Sequence, residues 1–140
     1  MARVEINLPE VFPFVTEIDV RVCDINAALH VGNEAILEII AEGRTRFMKR
    51  YGYGEMDVEG AGLIMADAAV VYKSEAFYDD VLILEVGVRD FTECGFDFIY
   101  RITNKETKKE VARAKNGFVF FDYEGRTPVK VPRKFKTLFA

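Results

Sequence analysis

Asp24-Ile25-Asn26-Ala27-Ala28-Leu29-His30-Val31-Gly32-Asn33, running directly into Glu34-Ala35-Ile36-Leu37-Glu38-Ile39-Ile40-Ala41-Glu42-Gly43-Arg44-Thr45-Arg46-Phe47-Met48-Lys49-Arg50, is the stretch on which the fold turns. In its second part Ile36, Ile39, Ile40, Gly43, Phe47 and Tyr51 recur at three- and four-residue spacing, which predicts a helix from Glu34 to Arg50 with one apolar stripe. Glu38, Glu42, Arg46 and Arg50 decorate the other side. A glycine inside a helix costs about 1 kcal/mol relative to alanine, so Gly43 predicts a sheet pressed close against the helix at that point. Gly52 and Gly54 end it.

Strands surround this helix in the sequence. Residues from about Phe14 to Val22 read as a first strand, with Pro9 and Pro13 keeping the preceding segment irregular. Leu63 to Tyr72 and Val81 to Phe91 are mostly continuous apolar runs, which predicts burial on both faces. Phe96, Phe98, Tyr100 and Ile102 alternate with Asp97, Ile99 and Arg101, and a last run extends from about Glu110 to Tyr123. Asn104 to Lys109 makes the polar turn before it, and Gly117 within it predicts a bulge or bend. These elements bury their apolar faces together only if the sheet curls around the helix. The expected class is α+β, a long central helix wrapped by a curved antiparallel five-stranded sheet.

Composition sets the outer bounds. With 140 residues, 50% hydrophobic and 30% charged, the chain reads as one domain, residues 1–140, large enough for a proper core. A net charge of -4 argues against general affinity for nucleic acid or anionic membrane. Two basic patches stand out, Lys105 to Lys109 and Arg133-Lys134-Phe135-Lys136; most such runs are solvated, and either suits the phosphates of a nucleotide carrier. Cys23 and Cys94 are too few for a disulfide framework and form no metal motif. No secretory leader pattern opens the chain and no stretch approaches the roughly twenty apolar residues of a membrane span, so the expected location is cytoplasmic.

The loop from Asp24 to Asn33 gathers the only histidine, two amides and a carboxylate at a helix start. Unpaired amides and the positive end of the helix dipole can hold an oxygen that becomes negative in a transition state, and His30 can position or deprotonate a water beside it. A purely structural reading accounts for the same residues: Asn33 as N-cap, Gly32 easing the turn, and Asp24 or Asn26 closing an Asx-turn. Spacing alone leaves both open.

Val20-Arg21-Val22-Cys23-Asp24-Ile25-Asn26-Ala27-Ala28-Leu29-His30-Val31-Gly32-Asn33, followed by Glu42-Gly43-Arg44-Thr45-Arg46-Phe47, resembles the signature of hotdog-fold acyl-CoA thioesterases of the 4-hydroxybenzoyl-CoA thioesterase type. Tyr72-Lys73-Ser74-Glu75-Ala76-Phe77-Tyr78-Asp79-Asp80 resembles that family's second-strand segment, and Val129-Lys130-Val131-Pro132 its C-terminal Pro motif. The resemblance spans about Phe14 to Pro132. It implies a hotdog fold, an acyl-CoA substrate, and a homodimer or homotetramer in which the sheets of two protomers join and the site lies at their interface. One departure matters. The family's loop usually reads Asp-x-Asp, with the second Asp as base or nucleophile, and here Asn26 stands there. An amide can donate a hydrogen bond but cannot be the base.

For the base, the chain resembles the plant acyl-ACP thioesterases, whose loop His and strand Glu fall on His30 and Glu75; the alternative for Glu75 is a solvated strand-end charge. The resemblance implies thioester hydrolysis: the carbonyl against the amides of Val31, Gly32, Asn33 and Glu34, Asn26 and Asn33 as side-chain donors, His30 and Glu75 activating water, Asp24 orienting the loop. No metal or cofactor is called for. Two alternatives remain. Asp24-x-Asn26 with His30 also resembles, one residue out of register, the signature of hotdog (R)-specific enoyl-CoA hydratases, and Asn26 is compatible with a non-catalytic acyl-CoA or acyl-carrier-protein binding module. Finally, Phe118, Phe120, Phe121 and Tyr123, with Phe91 and Phe96, exceed what one small sheet needs and predict a contact between sheets of two protomers.

Overall fold

In the computed structural model, which describes residues 1–140, β1 (Phe14–Asp19) leads through a 3-10 turn (Val22–Asp24) and the loop after it into α1 (Asn33–Arg50). Then follow β2 (Gly62–Tyr72), β3 (Val81–Arg89), β4 (Gly95–Asn104) and β5 (Glu110–Asp122), a two-residue β6 (Thr127–Pro128), and α2 (Arg133–Phe139). The sheet order is β1-β3-β4-β5-β2, with β6 on β5, and every pairing is antiparallel. The sheet therefore has six strands rather than five. β6 pairs only Phe121 with Pro128 and Asp122 with Thr127, too short a return for alternation to reveal.

Register explains the wrap. Pairing Leu84 with Ile102, Tyr100 with Ala114, and Phe96 with Phe118 puts one alternating set from three strands on the concave face. That set is buried against Ile36, Ile39, Ile40 and Phe47 of α1. At Gly43 the helix comes so close that a Cβ would overlap Leu84, which accounts for the glycine.

Three expectations need correction. The helix of 18 residues spans about 27 Å at 1.5 Å per residue, whereas the 13 residues of β5 span about 43 Å, so α1 is short beside the sheet and leaves one end of it uncovered. α2 fills that end, its Phe135 ring lying 4.9 Å from Phe96 and 5.3 Å from Phe120. This absorbs the aromatic surplus: Phe96, Phe118 and Phe120 are buried within the protomer rather than offered to another sheet. Thirdly, β2 is not buried on both faces. Only β5 flanks it, and Met65 to Ala68 at its centre are exposed.

Gly117, where a bulge was expected, pairs in register with Asp97 and Asp67; the irregularity lies on the facing strand, as a register shift between Met65 and Asp67 of β2. Asp67 Oδ1 accepts from the Gly117 N–H at 2.9 Å and from Lys115 Nζ at 2.8 Å. The lysine holds the Asp67 carboxyl below the usual carboxylate range. A Cβ on Gly117 would sit 2.6 Å from that same oxygen, so a larger residue would push the Asp67 carboxylate off these bonds. No helix is long and apolar enough to cross a membrane.

Candidate active site

The end of β2 and the start of α1 are stitched together by three contacts. His30 pairs with Phe77 in an isolated antiparallel bridge, the Val31 N–H donates to the Ala76 carbonyl at 2.8 Å, and the Tyr72 hydroxyl donates to the Asn33 carbonyl at 3.0 Å. Between them opens a pocket of about 230 Å³. Val31, Ile36 and Val111 give it apolar walls, and His30, Asn33, Tyr72, Lys73 and Glu75 stand around them.

His30 and Glu75, drawn from separate segments of sequence, are thus brought to one pocket. They do not touch: no hydrogen bond or ion pair joins them, and Glu75 is exposed. His30 Nδ1 lies 3.0 Å from the Val31 carbonyl. A carbonyl only accepts, so Nδ1 carries the proton of the neutral ring and Nε2 the lone pair that can take one from water.

The helix start is less open than the loop sequence suggests. The Val31 amide is spent on Ala76, and the Gly32 amide donates to the Asp24 carbonyl at 3.0 Å, so these two cannot also hold a substrate oxygen. Asn33 and Glu34 keep amides with no backbone partner. Gly32, not Asn33, occupies the N-cap in an extended conformation, and no side chain caps the helix. Asn33 is the first helical residue instead.

Asp24 is buried, accepting from the Arg21 backbone N–H at 2.8 Å and from its guanidinium at 3.2 Å. With its carbonyl on Gly32, it fixes the loop from within. Its side chain faces a second, larger hollow of about 630 Å³, away from His30. That hollow is a poorer site despite its size, because Arg21 is paired with Asp24 and Arg46 with Glu42. Asn26 lines neither cavity. Its Oδ1 accepts from the Ala28 N–H at 2.9 Å, an Asx-turn, while its own N–H donates to the His30 carbonyl. Nδ2 is left facing outward.

Of the residues at the pocket, Tyr72, Lys73, Ile36 and Val111 carried no site role in the sequence reading, Ile36 standing only in the apolar stripe and Tyr72-Lys73 only in the segment that resembles the family's second strand. Nor did a buried polar group under the helix: Arg44 bonds Glu55 at 2.8 Å, Asn116 at 2.9 Å and Tyr100 at 3.3 Å. Burial works against the Arg44 charge, but Tyr100 and Glu55 outweigh it, and burial pushes the Tyr100 phenol up. The signal was there, an arginine on the apolar stripe beside Gly43. No group of three or more His, Cys, Asp or Glu side chains is arranged to hold a metal ion.

Residues 20–139 match the thioesterase-like superfamily. The chain belongs to that superfamily. Its wrapped helix is the hotdog arrangement. Among solved structures, this superfamily member is similar to a 1,4-dihydroxy-2-naphthoyl-CoA thioesterase from Synechocystis, with 19% identity over 89% of this chain and 93% of that one and a TM-score of 0.81. It is similar as well to a gentisyl-coenzyme A thioesterase, at 16% identity over 91% and 100% of the two chains and a TM-score of 0.78. A predicted thioesterase from Bacillus stearothermophilus gives 16% identity over 90% and 92%, also with a TM-score of 0.78. At these identities the likeness is one of fold. No curated protein matches the chain.

Proposed function

We propose that this superfamily member hydrolyses acyl-CoA thioesters, releasing a carboxylic acid and CoA, in the pocket between the start of α1 and the end of β2. The observation that carries this reading is the meeting of His30, Glu75 and the unpartnered Asn33 amide at one apolar-walled pocket. The thioester carbonyl oxygen would lie against the amides of Asn33 and Glu34. His30 Nε2 would take a proton from the attacking water and return it to the departing thiolate, with Glu75 steadying the imidazolium. One aligned donor to such an oxyanion supplies about 3 kcal/mol. The outward-facing Nδ2 of Asn26, which lines neither cavity of its own protomer, would be a further donor to the pocket of a second protomer.

The same reading includes a single hotdog domain over residues 1–140, a cytoplasmic location and a homodimer paired along β2. Supporting the dimer, β2 is a free edge, and Met56, Met65 and Tyr72 are exposed apolar residues on or near it. A partner there would close the pocket around the exposed Glu75. The names of two similar structures put aromatic acyl groups among the substrates to try.

Free-thiol release from a panel of aliphatic and aromatic CoA thioesters tests the proposal, run on the wild type, His30→Ala and Glu75→Gln. Each variant is expected to lose at least about tenfold in kcat, as general acid–base groups do, at nearly unchanged Tm. Wild-type turnover in both would remove the assignment. Crotonyl-CoA hydration in place of thiol release would point to the hydratase, and tight binding without either reaction to the binding module.

A further inference from the structure

The lining of the pocket between α1 and β2 sorts by depth. Asn33, Tyr72, Lys73 and Glu75 are exposed and stand at its mouth, whereas Val31, Ile36, Ala76 and Val111 are buried, belong to the core cluster and form its back. Ile36 lies one turn along α1 from Asn33, on the same side of the helix. Ile40, the next residue on that side, is 1% exposed and does not border the pocket, so along the helix the hollow stops at Ile36.

The polar groups near the back are already used. Ser74 Oγ donates to the Glu110 carbonyl at 2.8 Å, and the Lys73 and Ser74 amides both donate to the Val111 carbonyl, at 2.8 and 3.2 Å. The Val31 amide is held by Ala76, and the Tyr72 hydroxyl, nearer the mouth, spends its proton on Asn33. None of these donors is left for a hydroxyl or carboxylate on the far end of an acyl group, and a polar group pushed to the back loses its water without return.

Volume sets the length. At about 30 Å³ per heavy atom, the share of a water molecule in the liquid, 230 Å³ holds roughly seven or eight atoms. With the thioester carbonyl at the mouth beside the Asn33 amide, the rest is filled by an apolar chain of about six to eight carbons or by a single unsubstituted ring.

We propose that Ile36, with Val111 beside it, determines specificity: it is the floor on which the acyl end rests, and it selects short acyl groups that carry no hydroxyl or carboxyl substituent. The inference rests on the placing of thioester hydrolysis in this pocket and adds to it the class of acyl group. A second protomer along β2 narrows the mouth and leaves the floor unchanged, since all four residues at the back are buried within one protomer.

Two ladders test it on the full-length chain. S-alkyl-CoA thioethers, which cannot be hydrolysed, are titrated by calorimetry from ethyl to tetradecyl, and the matching acyl-CoA thioesters are followed by thiol release. In the wild type Kd is expected to fall about fourfold per methylene, the transfer value of a buried CH2, up to about seven carbons and no further. S-(4-hydroxybenzyl)-CoA is expected to bind at least about tenfold more weakly than S-benzyl-CoA. Ile36→Ala opens the floor toward Ile40, and the plateau should move about two to three carbons longer in both ladders. Where Ile36→Ala does not fold, Ile36→Val is read in the same way, with a move of about one carbon. Affinity that keeps rising to tetradecyl in the wild type, or a plateau that stays in place in the variant, overturns the floor, and equal binding of the two benzyl thioethers overturns the exclusion of hydroxyl groups. A plateau that moves without any thiol release would remove hydrolysis and leave the floor standing; thiol release indifferent to chain length would do the reverse.

Discussion

The Tyr72 hydroxyl donates to the carbonyl of Asn33, so the last residue of β2 is tied to the first residue of α1 across the pocket. The amide proposed to face the thioester belongs to that same Asn33. Tyr72→Phe removes only the bond, for a stability loss of about 0.5–1.5 kcal/mol. A loosened helix start should lower kcat on the best thioester several-fold while KM stays within about twofold, the pattern of lost transition-state stabilisation. Unchanged kcat would leave the bond a structural tie only.

Gly43 against Leu84 is the second tight relationship. Alanine at 43 gains about 1 kcal/mol of helix propensity. Against this, its methyl meets a fully buried leucine, and overpacking a core costs about 1–3 kcal/mol. The difference is a net loss, so Gly43→Ala should lower stability in urea denaturation by up to about 2 kcal/mol. Leu84→Val withdraws the conflicting methyl, and the double variant should be more stable than the sum of the single effects.

Gly43, the stripe around it and the alternation of β4 were legible because each is a local rule with a periodicity or a missing Cβ behind it, whereas the irregularity signalled by Gly117 falls on the facing strand, between Met65 and Asp67. What escaped depends on contacts remote in sequence. Continuous apolar runs looked the same in β2 and β3, yet only tertiary order decides that β2 is an edge. The aromatic surplus was real, but its partner was Phe135 of a short helix more than ten residues beyond β5. At the site, His30 and Glu75 were named from motifs and do share a pocket, whereas Val31 and Gly32 were named from a helix-start rule blind to Ala76 and Asp24 taking their amides.

Leu29 closes the Asn26–His30 turn with φ of 67°, a left-handed conformation that glycine adopts freely, and its side chain is 70% exposed. Leucine there costs about 1 kcal/mol and packs on nothing in the protomer. Leu29→Gly should raise Tm slightly, by at most about 2 °C, after the extra entropy of the unfolded glycine is subtracted. A lower Tm would mean that Leu29 is buried in an assembly.

Asp67 and Asp97 share Lys115 but respond to pH in opposite senses. Lys115 lowers Asp67, which therefore contributes stability present above the ordinary carboxylate range and lost as pH falls through its depressed pKa. Burial raises Asp97, so its protonated form favours folding and that contribution is lost as pH rises through the raised pKa. Asp97→Asn keeps the uncharged form at all pH, and Lys115 retains Asp67 at 2.8 Å. The variant should melt slightly higher than wild type at pH 7, with the difference vanishing below about pH 4. Thermal melts across pH read this directly.

Asn26 is the residue at which this chain leaves the Asp-x-Asp pattern, and its geometry makes a clean experiment. Oδ1 is occupied by the Ala28 N–H at 2.9 Å, a bond that an aspartate oxygen accepts equally well. Asn26→Asp therefore keeps the turn, and Tm should move by no more than about 0.5 kcal/mol of stability allows. What changes is the outward group, from an amide donor to a carboxylate. If Nδ2 steadies the thioester oxygen, a negative charge there repels the developing oxyanion, and kcat should fall by about 10²-fold, the cost of one such donor. KM should barely move, since the ground-state carbonyl carries little charge. The opposite result is equally readable: a rise in turnover that disappears as pH falls through a new carboxylate pKa, and that survives Glu75→Gln, would make position 26 the place of the base and retire the donor role.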